Sequence, residues 1–158
     1  IAMCFWNFLG AGIFGFAINP PIALYYIQGL NTTAVHGHAA LFGVYGILGI
    51  GLILFVLRGL YADRHWNYKI LGWSFWLINI GLFVMLVGSL LPIGILQAVE
   101  AIQNGYWSAR SEEFMHTDTM QIIRWLRVPG DTLLAIGELL LVYFIIALKT
   151  GWSLREKR

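Results

Sequence analysis

Long unbroken apolar runs, separated only by short polar segments, constrain this chain more than any other feature of its sequence. A helix needs about 20 residues to cross about 30 Å of hydrocarbon. Four runs reach that length, at 1–29, 34–57, 70–102 and 129–148. With 59% hydrophobic and only 11% charged residues, a chain of 158 residues is too apolar for a soluble domain of that size. The expected fold is therefore a single all-α integral membrane domain of four transmembrane helices in a lipid bilayer. The chain starts inside an apolar run, with neither an initiator methionine nor a basic leader, and so reads as a piece of a longer polypeptide.

Each run carries its own punctuation. Asn19-Pro20-Pro21 interrupts the first, where two missing backbone donors should kink or break the helix. Gly37, Ala39, Ala40, Gly43, Gly46, Gly49 and Gly51 line the second, small enough to let a neighbouring helix or a flat cofactor approach closely. The third is long for one span, so tilt, a kink at Pro92 or extension beyond the bilayer is expected. Trp73, Trp76 and the pair Tyr106-Trp107 suit interfacial anchoring at its two ends. Pro129 fits the first turn of the fourth.

Charge sets the orientation. Arg58, Arg64, Lys69, Lys149, Arg155, Lys157 and Arg158 share one side, while Arg110, Arg124 and Arg127, offset by Glu112, Glu113 and Asp118, share the other. The basic excess places the first side, and with it the C-terminus, in the cytoplasm. No basic run with interleaved aromatics points to nucleic acid. Cys4 is the only cysteine, which removes disulfides and thiolate clusters within the chain, and it is expected to be a small buried apolar residue.

Ionisable groups inside a bilayer are costly and usually functional, so His36, His38, Asp131 and Glu138 are the candidates. Positions i and i+2 lie about 200° apart on an α-helix, so His36 and His38 cannot share one metal ion. Each needs its own partner. Imidazole is the usual axial ligand of haem iron, and Gly37, Ala39 and Ala40 leave room for macrocycles beside the helix. A simpler reading, with both rings bonded to neighbouring helices or water, is also open.

The stretch from Asn31-Thr32-Thr33-Ala34-Val35 through His36-Gly37-His38 to Gly46 resembles the antepenultimate-to-penultimate helical region of the haem-copper oxidase superfamily, in its nitric oxide reductase branch. Quinol-dependent members look most similar. The Asn19-Pro20-Pro21 break one helix earlier, two further helices and Arg127-Val128-Pro129-Gly130-Asp131 before the last one agree with it. The resemblance spans the chain but implies only the last four helices of a bundle of a dozen or more, completed by the remainder of the same catalytic subunit.

That resemblance implies a respiratory enzyme of a bacterial-type inner membrane, reducing two nitric oxide molecules to nitrous oxide and water with electrons from quinol. His36 would be the proximal ligand of a high-spin haem b3, and His38 an axial ligand of a low-spin haem b. The non-haem iron beside haem b3 would take its ligands from outside this chain. Arg127, more than Arg124, would pair with haem propionates, although snorkelling at the interface explains both arginines equally. Asp131 would meet the quinol head group, although an acid in a first helical turn also suits the helix dipole. Glu138 could serve a proton path, but an interhelical hydrogen bond is the simpler expectation. Tyr45 shares the His38 face as packing, and His65 and His116 should be solvated. Segment 111–118 has no recognisable metal spacing. Two alternatives stay open: a terminal oxygen reductase of the same superfamily, and a haem-binding anchor or transporter fragment without catalysis.

Overall fold

In the computed structural model the chain is described over residues 1–151, and Trp152, Arg155, Lys157 and Arg158 lie outside them. Every regular element among the described residues is helical. We number them α1 (Ala2–Ile18), α2 (Pro21–Ile27), α3 (Asn31–Leu60), α4 (Tyr68–Asn104), α5 (Glu112–Met115), α6 (Asp118–Trp125) and α7 (Arg127–Thr150).

Three stretches are long and apolar enough to cross a membrane: α3 with 30 residues, α4 with 37, and Asp118–Thr150, where α6 runs into α7, with 33. The first apolar run behaves differently. α1 and α2 meet at 90°, so the four expected spans resolve into three single helices and one bent pair. Pro20 adopts an extended backbone (ψ 141°) and Pro21 opens α2, which is how a double proline ends one helix and starts another. Gly29 then takes φ +69°, which glycine allows without steric cost, and turns the chain into α3.

α4 runs on to Asn104 without a break at Pro92. The five residues Leu86–Leu90 form a π-helical turn just ahead of it, widening the helix where the proline ring would meet a preceding carbonyl. Two longer π-helical segments, Asn7–Phe14 in α1 and His38–Gly46 in α3, pack against each other. Gly10 lies on Ala39 and Gly43 on the Trp6 ring, at separations that leave no room for a Cβ. Trp6, 1% exposed, donates from Nε1 to Asn79 Oδ1 of α4 at 2.9 Å and so joins three helices. Around it Val35, Ala39, Leu82, Met85 and Leu86 form the central core.

α4 and α7 form the tightest pair. A Cβ on Gly81 would lie 2.5 Å from the Leu134 nitrogen, one on Gly130 2.5 Å from the Met85 nitrogen, and one on Gly137 2.8 Å from Ile78. Ser74 Oγ closes the seam by donating to the Gly137 carbonyl at 2.7 Å. Small residues allow this approach where lipid offers no hydrophobic drive between helices. Gly81→Ala forces backbone apart and is expected to cost about 1–3 kcal/mol, read as a lower melting temperature in detergent. An unchanged Tm would show that the seam can relax.

The two ends of the described helices gather different side chains. At one, Arg58 stacks over Trp66, which packs on Phe144, and Arg64 reaches Gly151. At the other gather Asn31, Arg110, Arg124 and Arg127. Cys4 corrects the expectation of burial: it is exposed, because α1 turns Trp6 and Gly10 inward and Cys4, two residues before Trp6, faces away.

Candidate functional site

α3 presents Val35 and Ala39, both fully buried, as the ridge that packs into the core. His36 and His38 lie on opposite flanks of that ridge, since each is about 60–100° from it on an ideal helix. Both are half-buried. His36 turns toward α1, where its Nδ1 is 2.9 Å from the Gly10 carbonyl oxygen and its ring rests on Gly15. His38 bonds back along its own helix, Nδ1 to the Ala34 carbonyl oxygen at 2.8 Å.

A carbonyl oxygen only accepts, so in both rings Nδ1 carries the proton and, in neutral imidazole, Nε2 keeps its lone pair. That is the arrangement of a metal-bound histidine, whose second nitrogen is anchored to fix tautomer and orientation. Glycine geometry adds to it. Nothing lies within 4 Å of where a Gly37 Cβ would sit, while Gly15 brings α1 up to the His36 ring. The other side of α3, with Leu41 and Tyr45 about two-thirds exposed, is uncovered beside His38.

The small residues of α3 thus divide by task. Ala39 and Gly43 hold α1, whereas Gly37, Gly49 and Gly51 face open space.

Arg127 and Asp131 meet each other. Arg127 Nε donates to both Asp131 oxygens, at 2.9 and 3.2 Å, across one turn at the start of α7. With side chains 41% and 45% exposed, such an i, i+4 pair contributes at most about 0.5 kcal/mol, so its effect is to orient the guanidinium. Arg127 and Arg124 line a cavity of about 330 Å³ with Asn31, Ser89, Leu90 and Ile93. Ser89 is 1% exposed and its Oγ has no partner among the described residues. A buried hydroxyl without a partner beside two guanidinium groups suits an anionic, hydrogen-bond-accepting ligand.

Among the described residues no hydrogen bond or ion pair reaches Glu138: Gly137 takes the α4-facing position and Glu138 lies one residue, about 100°, further round. His65 is exposed, and His116 is exposed with Nδ1 bonded to the Glu112 carbonyl. Among the described residues no group of three or more His, Cys, Asp or Glu could hold a metal ion.

Gln97, Ser89 and Gly10 were outside the ionisable set that the sequence singles out. Only the Arg127–Asp131 spacing carried a readable signal of its pairing.

Residues 1–133 match the family described as Cytochrome C and Quinol oxidase polypeptide I. The chain belongs to that family. It is also 32% identical over 141 residues to a nitric oxide reductase subunit of Stutzerimonas stutzeri, an alignment covering 86% of this chain and 29% of the relative. The chain therefore spans less than a third of that relative's length. Members of this oxidoreductase family bind haem, and the residues present fit such a group. Two anchored imidazoles leave Nε2 unbonded on separate flanks of one helix. The unpartnered Ser89 hydroxyl and the two arginines sit in a polar cavity at the same end.

Proposed function

We propose that the chain is the carboxy-terminal portion of the catalytic subunit of a respiratory nitric oxide reductase that draws electrons from quinol. In this reading His36 is the proximal ligand of a high-spin haem b3 and His38 an axial ligand of a low-spin haem b. The reading rests above all on the two Nδ1–carbonyl bonds, which ready two imidazoles on opposite flanks of one buried ridge for two separate irons. The relative's name supplies the substrate class.

The reaction joins two nitric oxide molecules through a new N–N bond and breaks one N–O bond. With two electrons and two protons it yields nitrous oxide and water. Haem iron and a neighbouring non-haem iron, whose ligands lie outside this chain, supply the redox chemistry. This chain supplies orientation. Gly10 and Ala34 fix the planes of the two imidazoles, and the bond at Nδ1 raises the donor strength of each ring. Arg127, Arg124 and Ser89, which line one cavity, are assigned to receive haem carboxylates.

Asp131, held by Arg127, is assigned to accept a hydrogen bond from a quinol hydroxyl. Asp131→Asn should raise the KM for quinol several-fold, a factor of about 5 corresponding to about 1 kcal/mol. Arg127→Ala should lower haem retention or shift a haem potential. Unaltered KM in the first and unaltered haem content and potential in the second would remove these two roles. The basic end of the bundle, with the C-terminus, is assigned to the cytoplasm.

A terminal oxygen reductase is the second reading, favoured by the word oxidase in the family description. Reduced-minus-oxidised spectra and metal analysis of the full-length protein separate the two. Two distinct b-type haems with additional non-haem iron support the reductase, and copper supports the oxidase. A full-length protein with no haem would sink both.

A further inference from the structure

Gln97 sits two turns before the end of α4, 4% exposed, with every hydrogen-bonding position of its amide in use. Its Oε1 accepts from the Asn31 backbone nitrogen at 2.9 Å and from Asn31 Nδ2 at 2.8 Å. Its Nε2 donates to the Ala109 carbonyl at 3.1 Å and to Met115 Sδ at 3.3 Å. A buried side-chain amide that reaches a helix, a turn and a loop helix together is costly to desolvate unless fully paired, and this one is.

The Asn31 contact is the informative one. Asn31 opens α3, and the residue before it, Leu30, has no side-chain oxygen to cap the first turn. The first-turn N–H groups have no partner within their own helix, and the Asn31 N–H lies in a half-buried position. Gln97 caps it from another helix. One turn earlier on α4, Gly94 packs so closely on the same turn that a Cβ would lie 2.6 Å from the Thr32 nitrogen.

Upstream of Asn31 the chain is held on the segment after α4, where Tyr106 and Arg110 donate to the Gln28 carbonyl. The preceding segment has already turned by 90° and then passes through the left-handed Gly29. Further along, Ala39 on Gly10 and Gly43 on Trp6 hold α3 against α1, and the grip on the first turn fixes its rotation at the near end, which carries His36 and His38 together, five and seven residues further on.

We infer that Gln97 is a positioning residue, which sets the orientation of both imidazoles by capping the first turn of their helix in trans. This rests on the haem-ligand reading above. It differs from an ordinary packing role in one respect: its loss moves both ligands at once, His36 against its Gly10 partner on α1 and His38 together with its Ala34 partner on α3.

The test uses the full-length, haem-loaded enzyme. In Gln97→Leu both haems should be retained, with the potentials and absorption or paramagnetic resonance signatures of both shifted. The kcat for nitric oxide should fall about tenfold with KM little changed, as displacement of reacting groups by a fraction of an ångström implies. Gln97→Glu keeps the Oε1 acceptor for Asn31 and, as the neutral acid, also a donor for the Ala109 carbonyl, and should restore both signatures toward wild type. If Gln97→Leu lowers only the melting temperature and leaves potentials and spectra as in wild type, Gln97 is structural and the inference is overturned. Should Gln97→Leu fail to assemble, Asn31→Ala, which removes one of the two donors to Oε1, decides in the same way: shifted signatures support the inference and unchanged ones overturn it. Failure of the haem-ligand reading would look different, since His36→Ala and His38→Ala would then keep the full haem complement.

Discussion

Replacing His36 by glycine in the full-length enzyme is expected to abolish nitric oxide reduction, by about 10³-fold or more, while the low-spin haem keeps its spectrum. A thousandfold loss is about 4 kcal/mol of transition-state stabilisation. His38→Gly should show the complementary pattern: the low-spin signature disappears, and quinol-driven turnover fails because electrons no longer reach the active site. Selectivity follows from geometry. The two rings flank the buried Val35–Ala39 ridge and their Nδ1 atoms are held by different carbonyls, Gly10 on α1 and Ala34 on α3. Added imidazole should partly restore the signature lost in each glycine variant, since the backbone carbonyl that orients the ring is still there. Loss of both haem signatures together in either variant would count against two separate ligands.

The second large effect is expected at Gly10, a residue with no side chain and no charge. Its carbonyl accepts from His36 Nδ1, and an ideal Cβ on it would lie 2.7 Å from the Ala39 carbonyl carbon and Cβ and 2.8 Å from the Ala40 nitrogen. Backbone atoms cannot turn aside, so Gly10→Val must push α1 off α3 and pull the acceptor away from the ring. A histidine that loses this bond is a weaker donor to iron, which favours the reduced metal. The potential of the high-spin haem should rise, that of the low-spin haem should hold, and turnover should fall about 10–100-fold, the usual cost of removing such a partner. Equal shifts in both haems would point to general loosening of the helix packing.

Much of this arrangement is readable in the residue order. Length and apolarity of the runs identify the membrane helices at 34–57 and 70–102 within a few residues of α3 and α4, because the thickness of the hydrocarbon core sets the number of residues needed. Asn19-Pro20-Pro21 announces a break for a covalent reason, the missing donors and fixed φ of proline. The break is harder to size: the 90° bend between α1 and α2 depends on what packs on either side, and it changes a simple span into a bent pair. Pro92 makes the converse point. Its ring alone suggests a break, but the helix continues through it, with a π-helical turn at Leu86–Leu90 just ahead.

At the candidate site the division is sharper. The His36-Gly37-His38 spacing dictates that the imidazoles diverge, because helical periodicity is a local property of the backbone. Which carbonyl each ring would find is not local. Gly10 is twenty-six residues before His36, and only the close packing of two π-helical segments brings it within 2.9 Å. The same holds for Gln97 and Asn31, for the Ser89 hydroxyl beside Arg124 and Arg127, and for Cys4 and Glu138, whose surroundings depend on how their helices are rotated.

Periodicity, hydrophobic length and the covalent limits of proline act along the chain, and by themselves they determined that this is a helical membrane protein with two histidines looking in different directions. Helix rotation, bend angle and the hydrogen-bond partner of each ring depend on side chains far apart in sequence competing for the same buried space. Only the tertiary structure could decide those, and with them which nitrogen of each histidine is free to bind.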